Sequence, residues 1–168
     1  MIVVLMGVSG SGKTKIGTLL ARRMGMVFAD GDDYHSAANT QKMAAGQPLT
    51  DDDRRPWLAE LNGLLRGWQE SGSGGVLACS ALKESYRQML AEGMPADVVR
   101  FVLLDGSREL IAQRLAERKH SYMNPALLDS QFATLERPGG DAVVVKIDRA
   151  PEVVVGEILT KIGGMACS

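Results

Sequence analysis

At 168 residues the chain has the length of one domain, and 45% hydrophobic against 23% charged residues excludes disorder as its working state. Lys and Arg number 19 against 20 Asp and Glu, a formal net charge of −1. The basic excess of a dedicated nucleic-acid binder is therefore missing.

Residues 1–6 are apolar but far too short to cross a bilayer. Without a basic leader or cleavage site they read as a buried strand, not a signal peptide. No membrane or nucleic-acid partner is expected. Further strands are predicted at 26–29, 75–79, 98–104 and 142–147, each a continuous apolar run of the kind covered on both faces. Helices are predicted at 12–25, 34–45, 56–71, 83–92, 107–118, 125–136 and 151–163. The alternation argues for an α/β fold with a parallel sheet and right-handed crossovers.

The first strand runs into Gly7, Val8, Ser9, Gly10, Ser11, Gly12, Lys13 and Thr14, which match G-x-x-x-x-G-K-[ST] throughout. Glycines let successive N–H groups turn inward on an anion, and the following helix adds its positive end. Lys13 reaches the β/γ-phosphates of ATP as a point charge, and the Thr14 hydroxyl ligates Mg2+. A dinucleotide fingerprint fails, because starting from Gly10 it needs glycine where Lys15 stands.

The second strand ends in Ala29, Asp30, Gly31, Asp32 and Asp33. Ligands of open α/β sheets sit beyond the carboxyl ends of the strands, so these acids share a rim with the phosphate loop. Phosphoryl transfer to a hydroxyl needs a carboxylate to orient the acceptor and take its proton, and acids beside the metal. Asp32 is read in that role, whereas Asp33 also suits a simple helix cap.

Next come Thr50, Asp51, Asp52, Asp53, Arg54, Arg55 and Pro56. The acids suit a helix start, and Pro56 is predicted at the first helical position. Two readings stand for Arg54: a solvated cation, or a guanidinium gripping an anionic substrate with two prongs. The helix carries an apolar stripe of Trp57, Leu61, Leu64, Leu65 and Trp68, read as core packing. Residues 71–75 form a flexible loop too short to divide domains.

The 107–118 helix ends in Arg114 and Arg118, four apart on one face, with Lys119 and His120 beyond. They are either dipole-favoured surface cations or residues lying over ATP on a closing segment. Ser121, Tyr122, Met123, Asn124 and Pro125 have the turn chemistry of a mobile connection. Cys79 and Cys167 make no disulfide framework, which points to a reducing compartment, the cytoplasm. His35 and His120 are too isolated to suggest a metal site.

With these residues in view, the chain resembles the gluconokinase family of small P-loop kinases, akin to shikimate and adenylate kinases. The likeness is carried by Met6 to Lys13, by Asp30, Gly31 and Asp32 with His35, and by Asn39 to Met43. Gly46 to Leu58, Cys79 to Lys83 with Tyr86 and Arg87, and Ser130, Gln131 and Phe132 continue it. The resemblance implies a three-layer P-loop kinase fold over 1–168. Its five-stranded parallel sheet has order 2-3-1-4-5, with helices on both faces and a mobile lid at about 118–128. It implies ATP on the loop and Mg2+ at Thr14 with Asp30 or Asp32 nearby. Asp32 is expected to face the hydroxyl of a sugar acid, and Arg54 its carboxylate. His35, Lys42, Ser80 and Lys83 are expected to line the acceptor pocket. Arg118 is implied as the lid arginine on the phosphates, Arg114 against the adenine, and a homodimer as the assembly.

The expected reaction is phosphorylation of D-gluconate to 6-phospho-D-gluconate. Three departures stand out: Thr14 replaces the usual serine, Ser121-Tyr122 replaces a His-Phe pair, and Arg137 stands where many relatives carry an acid or no charge. A shikimate kinase would carry a glycine triplet where Ser80, Ala81, Leu82 and Lys83 stand. A GTP-binding switch would need Asn/Thr-Lys-x-Asp, and the nearest stretch, Val145, Lys146, Ile147 and Asp148, lacks its first residue and reads as the end of the fifth strand.

Overall fold

The computed structural model describes residues 1–117, 125–140 and 142–164. Strand β1 is Ile2–Met6, followed by α1 (Lys13–Met24), β2 (Val27–Asp30) and a 3-10 turn, Gly31–Tyr34. Helices α2 (Ala37–Ala44) and α3 (Asp51–Glu70) precede β3 (Gly75–Ala78), α4 (Glu84–Ala91) and β4 (Val99–Asp105). Then come α5 (Arg108–Ala116), α6 (Pro125–Thr134), β5 (Val143–Lys146) and α7 (Pro151–Gly164).

All strands pair in parallel, in the order β2-β3-β1-β4-β5. This is the predicted sheet. Ile2, Val4 and Met6 point to one face and Val3 and Leu5 to the other, yet every one is fully buried. Both faces of the central strand are covered, which is why its run is apolar without alternation. One face packs under α1 and α7 through Ile16, Leu20, Val155 and Ile158. The other packs under α3 and α4 through Trp57, Leu58, Leu61, Leu65 and Leu90. Each such side chain contributes about 1.5–3 kcal/mol of burial. Because β1 lies between β3 and β4, the loop after it opens at the point where the strand order reverses, and a crevice forms there.

Two boundaries depart from expectation. The predicted 34–45 helix splits: Asp30 caps the 3-10 turn by accepting from Asp32 N, and Ser36 separately caps α2 through Asn39 N. Helix α3 begins five residues before Pro56, which therefore lies inside it rather than at its first position. The start is set by a capping box, in which Thr50 Oγ1 accepts from Asp53 N at 3.1 Å and Asp53 Oδ2 accepts from Thr50 N at 2.9 Å. Two otherwise orphaned amides are satisfied at once. Pro56 removes the donor that Asp52 O would use, a loss that is tolerated because Asp52 is exposed to solvent. The added turn puts Arg54 within the rigid helix.

Of the apolar stripe of α3, Trp57, Leu61 and Leu65 are buried in the core and Trp68 packs against it, as expected; Leu58 joins them, while Leu64 stays only half-buried outside that cluster. No helix among the described residues is long and apolar enough to cross a membrane. Of the predicted lid, 118–124 lie outside the described residues, and 125–128 form the first turn of α6.

Candidate active site

The loop of residues 7–14 is a backbone construction. Gly7 has φ +145°, and a Cβ there would sit 3.0 Å from both Leu104 O and Ser11 Oγ. Gly12 caps α1 at φ +91°, a left-handed conformation that favours glycine. Several loop amides have partners within the protein. Gly7 N donates to Ser80 O at 3.2 Å, Ser11 N to Val8 O at 3.2 Å, and Ser9 N to Gln131 Oε1 at 2.7 Å. Lys13 Nζ folds back over the loop, donating to Gly7 O at 3.0 Å and Val8 O at 3.1 Å. Val8 and Ser11 are buried beneath the loop.

Beside it, Thr14 Oγ1 donates to Asp30 Oδ2 at 2.6 Å, while Asp30 Oδ1 accepts from Asp32 N at 3.1 Å. A cavity of about 520 Å³ is lined by Ser9, Gly10, Gly12, Lys13, Thr14, Asp30 and Asp32, among others. An oxygen-only pair of one hydroxyl and one carboxylate suits Mg2+, which takes one or two carboxylates plus substrate phosphates and water. Among the described residues no group of three or more His, Cys, Asp or Glu could hold a metal. The residues fit a cation shared with a nucleotide rather than one caged by the protein.

A second cavity of about 380 Å³ shares Ser9 and Asp32 with the first. Its other polar lining comes from Gln47, Arg54, Ser130, Gln131 and Thr134. The Asp32 side chain is 84% exposed. Arg54 Nη1 donates to Leu49 O at 2.7 Å and to Tyr86 Oη at 3.4 Å, with its guanidinium 5.4 Å from the Tyr86 ring centre. Tyr86 in turn donates to Asp51 Oδ1. That bond, with the Lys83 contact second, holds the Asp51 carboxyl below its usual range.

Behind Asp32 stands His35, only 3% exposed at its side chain, its ring stacked 4.1 Å from that of Trp57. Its Nε2 is 3.9 Å from Asp32 Oδ1, and Nδ1 has no partner among the described residues. Burial pushes the imidazole below its ordinary pKa, against the pull of Asp32. Trp57 Nε1 donates to Gly31 O at 2.7 Å, tying the 3-10 turn to α3.

The residues expected around the acceptor thus divide. Asp32 and Arg54 line the second cavity. His35 is not in that lining and approaches Asp32 only to 3.9 Å. Lys42 and Lys83 are drawn to α3 instead: Lys42 Nζ donates to Asp53 Oδ2 at 2.8 Å and Lys83 Nζ to Asp51 Oδ1 at 3.0 Å. The Lys42 bond holds Asp53 down at about 2. Ser80 is half-buried, its carbonyl on Gly7 N. Gln47, Ser130, Gln131 and Thr134 were given no role from sequence; only their place in the family-like stretches marked the first three.

Arg114, expected against the adenine, lines neither of these cavities; its Nη2 donates to Ile147 O. Arg118, Lys119, His120, Ser121 and Tyr122 lie outside the described residues. Arg137, unexplained from sequence, grips Asp105 with two bonds of 3.2 and 2.9 Å, and Lys146 Nζ adds a third at 2.7 Å. Lys146 therefore ends β5 on an ion pair. Cys79 is buried, which pushes its thiol up to about 12, so it is core filling. Cys167 lies outside the described residues.

An AAA domain family model matches residues 2–138. The chain is 47% identical to the gluconokinase of Gluconobacter oxydans over 94% of its own length and 88% of that protein's. A crystal structure of a gluconokinase from Sinorhizobium meliloti superposes with a TM-score of 0.89 at 41% identity, covering 98% of this chain and 93% of that one. Shikimate kinase from Aquifex aeolicus shares the fold alone, with a TM-score of 0.62 at 21% identity over 100% of this chain and 99% of that one.

Proposed function

This chain belongs to the gluconokinase family, and from that premise we propose that it transfers the terminal phosphoryl of ATP to a hydroxyl of D-gluconate, giving 6-phospho-D-gluconate. The observation that carries the reading is the pair of cavities meeting at Ser9 and Asp32. One is built on the phosphate loop, and the other has a guanidinium in its wall.

The residues then take the following roles. ATP lies on the loop, its phosphates against the main chain of residues 7–14 and the start of α1. Lys13 leaves the loop carbonyls for the phosphates. Asp32, solvent-facing and backed by His35, orients the acceptor hydroxyl and takes its proton. Arg54 receives the sugar-acid carboxylate, held in line by Leu49 O and Tyr86. Thr14 and Asp30 are the residues that would hold Mg2+, which supplies charge neutralisation to the phosphates when bound. Arg114 serves the adenine side and Arg118 the phosphates. Ser80, Lys42 and Lys83 are assigned to the acceptor side through the family resemblance, the two lysines by way of the α3 carboxylates they pair with. The chain works as a single domain with a lid at about 118–128, as a homodimer in the cytoplasm; the resemblance and the cysteine content support this.

The test is ATP consumption, read as ADP release, with gluconate, shikimate, AMP or no acceptor in parallel. Turnover is expected with gluconate, and turnover with another acceptor alone would overturn the assignment.

A further inference from the structure

Gln131 makes a contact that the reaction as described does not use. Its carboxamide faces Ser9 twice: Oε1 accepts from Ser9 N at 2.7 Å, and Nε2 donates to Ser9 Oγ at 3.1 Å. Ser9 is the loop residue that borders both cavities, and Gln131 lines the acceptor cavity. A phosphoryl group passing between the two cavities must lie against Ser9, where its oxygens compete for the same N–H.

The C-terminal end of the helix carrying Gln131, beyond the lid, has little freedom to follow. Just past the helix, Glu136 N donates to Leu82 O at 2.8 Å and Glu136 Oε2 accepts from Glu84 N at 2.8 Å. Arg137 is clamped on Asp105. What can move is the carboxamide, by rotation about its own side-chain bonds.

We propose that Gln131 is a positioning residue that couples the two substrates. It holds Ser9 while no terminal phosphoryl is present, and turns to hydroxyls of the acceptor once that phosphoryl takes the Ser9 amide. Released from Ser9, the carboxamide has one acceptor and two donor hydrogens to satisfy in a half-buried place. A polyhydroxylated acid supplies both kinds of partner; a bare carboxylate does not. The acceptor therefore binds more tightly beside ATP than beside ADP, and linkage requires that it favour ATP by the same factor.

The inference rests on the kinase reading above. Its test is calorimetric titration of gluconate into enzyme loaded with ADP or with the non-hydrolysable β,γ-imido analogue of ATP. Gluconate is expected to bind the analogue-loaded enzyme about fivefold more tightly, the worth of one net hydrogen bond. In Gln131→Met, similar in size but without the amide, the two constants should agree within twofold. In Gln131→Glu the carboxylate keeps the Ser9 N–H and repels the phosphoryl, so the analogue should bind more weakly than ADP does. Equal gluconate affinities in the wild type, or an undiminished difference in Gln131→Met, would overturn the proposal, as would unchanged nucleotide preference in Gln131→Glu. Failure of the kinase reading itself would show differently, as wild-type enzyme that binds both nucleotides but never turns gluconate over.

Discussion

The two cavities that meet at Ser9 and Asp32 are made of different material. The phosphate side is built mostly from one stretch of chain, the loop after β1 and the first turns of α1, shaped by glycines and a helix end, with Asp30 and Asp32 beside it. The acceptor side is side chain, gathered from the 3-10 turn, the loop before α3, α3 itself and α6. A backbone cradle binds a phosphate common to many reactions, whereas the side-chain wall chooses what receives it. Away from the Ser9–Gln131 contact, substitutions should therefore separate the two sides, changing acceptor use while leaving nucleotide binding alone.

The largest effect is expected where the sides touch. Asp32→Asn keeps the shape and removes the proton acceptor, so kcat should fall by roughly 10²–10⁴ with the KM for ATP little changed. Near-normal turnover in steady-state assays would remove Asp32 from that role. Arg54→Ala comes next. A charge-assisted contact is worth about 1.5–3 kcal/mol, so the KM for gluconate should rise roughly 10- to 150-fold while ADP affinity stays put. A matching loss of ADP affinity would blur the division between the sides.

Smaller effects test the supports. Trp57→Phe leaves an aromatic ring beside His35 but strips the donor from Gly31 O and removes part of a buried ring, a loss of at least about 1–3 kcal/mol measurable by urea unfolding. The smallest concerns Asp105, whose carboxyl is held below its usual range chiefly by Arg137, with Lys146 assisting against burial. A depressed carboxylate stabilises the fold above the unfolded-state pKa, and that share is lost as pH falls through the lower folded value. Arg137→Ala should thus cost up to about 1 kcal/mol at pH 7, since Arg137 is largely exposed, and the gap from wild type should narrow below about pH 4. Unfolding curves at pH 7 and pH 3 with the same gap would show that the pair is not electrostatic.

The same contrast explains what could be read in advance. The phosphate side is contiguous in the chain, so its motif, its strand and its helix were all visible in order. Five strands were also legible, because burial on both faces leaves unbroken apolar runs, whereas their order in the sheet followed only from the family resemblance. The acceptor side depends on meetings between distant residues. Gln131 reaches Ser9 across 122 positions and Arg137 reaches Asp105 across 32, and no local pattern announces either. Lys42 and Lys83 were placed in the pocket, but the carboxylates of Asp53 and Asp51 compete for them. The start of α3 was set too late because Pro56 is a strong local signal for a first turn. The Thr50–Asp53 capping box, equally present in the sequence, prevails because it satisfies two amides where proline merely tolerates one missing donor.

Strand β1, wholly enclosed at the middle of the sheet, has a bearing on how such a catalyst can diversify. The phosphate loop leaves directly from it, so loosening that loop means disturbing a strand buried on both faces. Helix α2, with Asn39 as its one buried residue, tethered through Nδ2 to Asp53 O at 2.9 Å, lies at the opposite extreme. Lineages descended from this architecture are free to rework the wall around Met43 and Gln47 for new acceptors while inheriting the nucleotide machinery unaltered.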